Sequence, residues 1–353
     1  MRIGQATRTI LLATLACGAA AVLGPPAHAA SKCVTAQRKK PYKVGWADIY
    51  LAPTWMTQTH ALMDEATADL KKQGLVETLT VTNANGNASQ QIQQIQSMMD
   101  SNMDIIVVDA GSATALNRVI GQACSKGIAV VNFDSLVTTN DLTSKIDTDQ
   151  VEWGKLGAEW LVKQLGGKGD ILVLNGPAGV SVSEERWKGA KQVFDANKGI
   201  HILAIANSEY NVAPAEQAVT NLLYAHPQVD GIWSQGGALS AGAVLALQKA
   251  GRKMLPMTGE NYRQFLEMWS QDRFPAWATG QPNWMGAMAI YVGVWALQGQ
   301  SIPAYIPVPL PEITDANLAD YLQRGKAMPA DGYVYPPYSV ELYKSLVEKA
   351  GQK

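Results

Sequence analysis

A chain of 353 residues, 47% hydrophobic and 17% charged, can bury a sizeable core and exceeds one typical domain. Its formal net charge of −1, with no basic block, argues against nucleic acid or an anionic membrane face as a partner.

Residues 1–29 read as a secretory signal peptide. Arg2 and Arg8 flank the n-region, the apolar run at 9–23 is too short to span a bilayer reliably, and Ala27-His28-Ala29 forms a small-residue cleavage site. Lipidation at Cys17, within Leu15-Ala16-Cys17-Gly18, is a competing reading, weakened by Thr14 where such a box has leucine. Export directs the mature chain to the periplasm. It leaves Cys33 and Cys124, which in an exported chain read as a disulfide tying the N-terminal arm to the first lobe. Two unpaired thiols are the alternative, because sequence gives no distance.

The mature chain alternates apolar runs with helical spacing. A strand at 43–47 ends at Asp48, and a helix over 54–72 closes at Gly74. A strand at 79–82 ends in Asn83-Ala84-Asn85-Gly86-Asn87, and Ser89 can cap a Gln-rich helix reaching residue 101. A strand at 105–108 ends at Asp109, with a helix over 114–126. The continuous apolar run at 128–131, suited to burial on both faces, stops at Asn132-Phe133-Asp134-Ser135. A short strand at 144–149 then runs straight into a helix.

The second half repeats the plan. Helices are expected at 151–165, 181–196, 213–225 and 239–250, and strands at 171–174, 202–205, 231–233 and 254–257, the last before Gly259-Glu260-Asn261. A return strand at 276–279, a helix at 284–297, a Pro-rich extended stretch at 302–311 and a helix at 315–326 follow; the last fifteen or so residues form an appendix. Strand-helix alternation with short loops implies parallel sheets with right-handed crossovers, hence an α/β protein of two lobes.

Motifs for catalysis do not appear. Ala238 occupies the position where a nucleophile elbow needs glycine, Gly167-Lys168 lacks the rest of a P-loop, and no dinucleotide fingerprint follows any strand. The histidines left after cleavage, His60, His201 and His226, have no metal-ligand spacing. No catalytic residue, metal or cofactor is therefore assigned.

Polar and aromatic residues instead gather at strand ends, where open parallel sheets bind ligands. These are Asp48, Trp55, Asn83, Asn85, Asp109 and Asp134 in the first half, and Glu184, Tyr210, Gln235, Glu260 and Asn261 in the second. Carboxylates and amides suit vicinal hydroxyls, and a flat ring offers an apolar face to the carbon side of a sugar. Each residue alone could be a helix cap or turn residue, and Asn83 with Asn85 could simply build the turn at Gly86. Trp153, Trp187, Trp269 and Trp295 sit at helical positions and read as core or lobe surface.

At these positions the chain resembles the periplasmic sugar-binding proteins of the ribose type (type I solute-binding proteins of ABC importers). The resemblance is carried by residues 145–150, by the run from Lys163 through Gly176, by Ser181 to Gly189, and by residues 221–232. It implies two Rossmann-like lobes joined by a three-crossover hinge. Residues 34–147 with 282–306 would form the N-terminal lobe, and 148–281 with 307–353 the C-terminal lobe and appendix.

The resemblance also implies one sugar in the cleft, delivery to an ABC transporter permease in the inner membrane, and a monomer. Trp55 matches a stacking aromatic, beside Pro53, and Asp134 the aspartate that grips hydroxyls. Tyr210 matches the aromatic of the second lobe, Glu260 takes the place of an aspartate, and Gln281 matches the hinge glutamine. In departure from the pattern, Ala52 replaces an asparagine, Ser135 and Glu184 replace arginines, and Gly236 replaces an asparagine. These changes imply a roomier, more acidic cleft, suited to a larger sugar, a polyol or an amino sugar instead of ribose. A receptor presenting a sugar or autoinducer to a membrane sensor would use the same cleft. An exported carbohydrate hydrolase working through Asp134 and Glu260 lacks an evident dedicated acid.

Overall fold

The computed structural model describes residues 33–34, 37–50 and 54–352. The expected signal peptide, Cys17, Ala52 and Pro53 lie outside the described residues.

From Tyr42 the chain runs β1 (Tyr42–Asp48), α1 (Thr54–Lys72), β2 (Val76–Asn83), α2 (Ala88–Asp100), β3 (Ile105–Val108), α3 (Asn117–Ser125), β4 (Ala129–Phe133) and β5 (Ser144–Asp147). β3 and β4 are buried along their whole length, which suits their β-branched residues and the helices on both sheet faces. Asn87, not Ser89, caps α2, accepting from the backbone N–H of Ser89 and Gln90. Cys33 is disulfide-bonded to Cys124 of α3, with the Cα atoms 4.5 Å apart.

The next stretch is α4 (Gln150–Gln164), β6 (Gly169–Asn175), α5 (Ser181–Ala196), β7 (Ile200–Asn207), α6 (Val212–Ala225), β8 (Gly231–Ser234), α7 (Gly237–Lys249), β9 (Met257–Glu260), α8 (Arg263–Asp272) and β10 (Ala276–Thr279). After it come α9 (Met285–Leu297), β11 (Tyr305–Pro307), α10 (Leu318–Gly325) and α11 (Val340–Gly351). One sheet has the order β11-β5-β4-β3-β1-β2 and the other β10-β9-β8-β6-β7. Neighbouring strands are parallel throughout, as in β1 with β3 and β6 with β8.

The structure departs from the sequence reading at three further places. The strand expected at 254–257 begins at Met257, because Pro256 lacks the N–H that a ladder needs; its carbonyl still accepts from Ile232. The sequence reading delimits no helix over α8, although Trp269 reads as a helical position, since Phe265, Leu266 and Trp269 make too narrow an apolar stripe amid charged neighbours. Finally, α11 buries Tyr343, Leu346, Val347 and Ala350 in the core of the first lobe. Residues 340–351 therefore belong to that lobe and not to the second, as the allotment of 307–353 assumed. The crossings at 148–149, 280–284 and 308–312 are joined by a fourth at 335–339. α9 is buried on every side and forms the centre of the first lobe, directly beyond the second crossing.

Candidate functional site

The carboxyl ends of both sheets face one cavity of about 150 Å³, a volume that holds a single ring. The first lobe supplies Asp109, which follows β3, and Asp134, which follows β4, together with Trp55 and Met56 from the start of α1. Asp134 has a φ of 59°, a left-handed conformation that short polar side chains tolerate better than most. The strain turns its carboxyl across the cleft, where Oδ1 accepts from Nε2 of Gln281 on the second crossing. Asp109 accepts from the Ser135 N–H at 3.2 Å and stands close enough to Asp134 for that charge to raise it.

The second lobe supplies Glu260 at the end of β9, Tyr210 before α6, Arg186 from α5 and Tyr333 beyond α10. Glu260 sits 3.4 Å from the Arg186 guanidinium, and its other oxygen accepts from the Gly237 N–H at the start of α7, where the helix dipole favours an anion. Arg186 also donates to Gln150 Oε1 at 2.8 Å, to the Gln235 carbonyl at 2.8 Å and to Gln281 Oε1 at 3.1 Å. It lies 4.4 Å above the Trp153 ring, a cation–π contact in a desolvated place. Tyr210 fits its slot because positions 176 and 236 are glycines: a Cβ would come within 2.3 Å of the ring at the first and 2.9 Å at the second. Its hydroxyl donates to Gln235 Oε1.

Burial raises the carboxyls of Asp109, Asp134 and Glu260. Asp134 is pushed up to about 6, Arg186 opposing the effect and Glu260 adding to it. Asp109 is driven well above the ordinary range by burial and then by Asp134 and Asp48. Glu260 is raised by burial against the pull of Arg186. Like charges in one desolvated place cannot all ionise freely.

Of the residues singled out from sequence, Trp55, Asp109, Asp134, Tyr210, Glu260 and Gln281 line the cavity. Asp48 and Gln235 stand one layer behind it. Asp48 is fully buried and raised to about 8 by desolvation, the charge of Asp134 adding to the effect; Gln235 anchors Tyr210. Asn261 donates to the Val334 carbonyl at 2.8 Å and ties down the strand of chain carrying Tyr333.

Two expectations are corrected. Asn85 is exposed and closes a turn, exchanging hydrogen bonds with the Asn83 side chain. Glu184 is exposed on α5 and accepts from the Gly179 N–H at 3.0 Å, away from the cavity. The cleft is not stripped of arginine either, because Arg186, two residues later, occupies it. That residue was legible: it interrupts the apolar stripe of Val182, Gly189, Ala190 and Val193, where an arginine needs a reason to be. Tyr333 had no periodic neighbours to reveal it.

Contacts between the lobes close the mouth. Thr54 Oγ1 donates to Asp331 at 2.7 Å, and Gln58 exchanges two hydrogen bonds with the Tyr333 backbone at 3.3 and 2.8 Å. Trp55 Nε1 donates to the Gln281 carbonyl, while Asn283 Nδ2 donates to the Trp55 carbonyl.

A family profile described as a periplasmic binding protein domain matches residues 49–301. The ribose import binding protein of Salmonella typhimurium is 27% identical over 251 residues, covering 71% of this chain and 84% of its own length. The xylitol-binding protein of Mycolicibacterium smegmatis is 32% identical over 182 residues, covering 51% of this chain and 52% of its own. An ABC transporter solute binding protein from Thermobispora bispora superposes with a TM-score of 0.80 at 23% identity, covering 87% of this chain and 95% of that one.

Proposed function

This chain belongs to the periplasmic binding protein family, and from that premise we propose that it captures one sugar or polyol between its lobes and delivers it to an ABC permease. It carries its ligand without transforming it. The observation that carries the reading is the single-ring cavity between the lobes, where carboxyls of both sheets meet Trp55 and Tyr210. Export by the leader would place it in the periplasm, and it would act as a monomer. The mechanism is closure. A ligand touching both lobes favours the closed form by its differential affinity, and a hydroxyl that misses its partner inside costs about 1–3 kcal/mol, which discriminates epimers.

A thermal-shift screen over pentoses, hexoses, polyols and amino sugars tests this. A true ligand at 100 times its dissociation constant stabilises by about 2.7 kcal/mol. Asp134→Ala should abolish that shift while circular dichroism stays that of wild type. A variant that still bound with unchanged affinity by calorimetry would remove Asp134 from the site.

A further inference from the structure

The two halves of the cavity are electrically unequal. In the second lobe Glu260 faces Arg186, so carboxylate and guanidinium offset each other. That guanidinium is already committed to Gln150, Gln235, Glu260 and Gln281, which leaves it little donor capacity for a guest. In the first lobe Asp109 and Asp134 face the cavity with Asp48 behind them. Their side chains receive backbone N–H groups, from Ser135 to Asp109 and from Tyr50 to Asp48, and the neutral amide of Gln281 on Asp134. Arg186 is the one cation among the described residues lining the cavity. Asp48 is fully buried, and its Oδ2 meets no donor at all. Glu209 adds a further carboxylate to the lining.

Among the lining residues, four carboxyls (Asp109, Asp134, Glu209 and Glu260) thus face one cation, Arg186. An anionic guest such as a sugar acid or sugar phosphate would bury a negative charge among these carboxyls, which is heavily penalised. A neutral polyol would satisfy hydrogen bonds yet offer no positive charge to let the buried carboxyls of the first lobe ionise. An ammonium group brings three donors and one positive charge on a single atom. Resting on the sugar or polyol reading above, we propose that the ligand is an amine-bearing sugar or polyol, its ammonium seated against Asp109 and Asp134 and its ring or chain between Trp55 and Tyr210. Burial raises the pKa of Asp48, Asp109 and Asp134, and an ammonium seated beside them would offset that penalty by favouring their charged forms.

Matched pairs test it by isothermal calorimetry at pH 7.5: glucosamine against glucose, galactosamine against galactose, and 1-amino-1-deoxyglucitol against glucitol. The amine is expected to bind at least tenfold tighter than its hydroxyl parent in one pair or more. In Asp109→Asn the ratio within that pair should fall toward one, whatever happens to the absolute affinities. Parents that bind as tightly as their amines in every pair would overturn this inference and leave the sugar reading standing. A panel in which no amine and no parent binds would overturn both.

Discussion

The Asp48 carboxyl is hidden from water with half its hydrogen-bonding needs unmet. Oδ1 accepts from the Tyr50 N–H at 3.2 Å, and Oδ2 has no donor. Desolvation raises it to about 8, whereas an unfolded aspartate titrates near 4. Between those values the folded state holds more protons than the unfolded one, so the contribution is present below pH 4 and is lost as pH climbs toward 8. In the ligand-free protein, Asp48→Asn should flatten that decline, with a Tm above wild type at pH 8 and a smaller difference at pH 4. Equal pH slopes in the two proteins would show that the carboxyl is compensated in the fold. At this scale the sequence was informative wherever a polar residue ends a buried run, as with Asp109, Asp134 and Glu260. It misled at Asn85, where the same residue type serves a turn, and at Glu184, where the family resemblance carried no information about which side of α5 faces the cleft.

The arginine that fills the cleft is held by the way two helices meet. α4 and α5 touch backbone to backbone: a Cβ at Gly154 would lie 1.8 Å from the Arg186 carbonyl oxygen, and one at Gly189 would lie 1.9 Å from that of Val151. The crossing therefore presets the height at which Arg186 reaches Glu260. Gly154→Ala must push the helices apart, at a cost of about 1–3 kcal/mol from overpacking. A urea midpoint lowered to that extent, together with weaker ligand binding, is expected; unchanged binding would mean that the pair tolerates a shifted helix. Periodicity foretold most of the elements, among them α1, β3, α5 and β10. It did not delimit α8 or α11, whose apolar stripe covers the first lobe. Periodicity reports that a face is apolar and is silent about what will cover it.

Across the molecule, the closed state rests on a small polar latch at the cleft mouth. Gln58 of α1 makes both of its hydrogen bonds to Tyr333 of the other lobe, so they exist only while the lobes are shut. Removing them by Gln58→Ala should cost the closed form roughly 1–2 kcal/mol, and so weaken ligand roughly five- to thirty-fold. Small-angle scattering should show a larger ligand-free radius of gyration than in wild type. Affinity that does not change would place the closure energy elsewhere, at Thr54 with Asp331 or in the hinge.

The final helix has a practical meaning for anyone wishing to watch this protein work. Gln37 and Lys349 both ride on the first lobe, one beside the disulfide-tethered arm and the other on α11. Fluorophores carried at those positions would keep a fixed separation through every opening and shutting, and their energy transfer would stay constant. A reporter that sees the motion must put one dye on the opposite lobe. Tyr224, 91% exposed at the end of α6, offers such a perch.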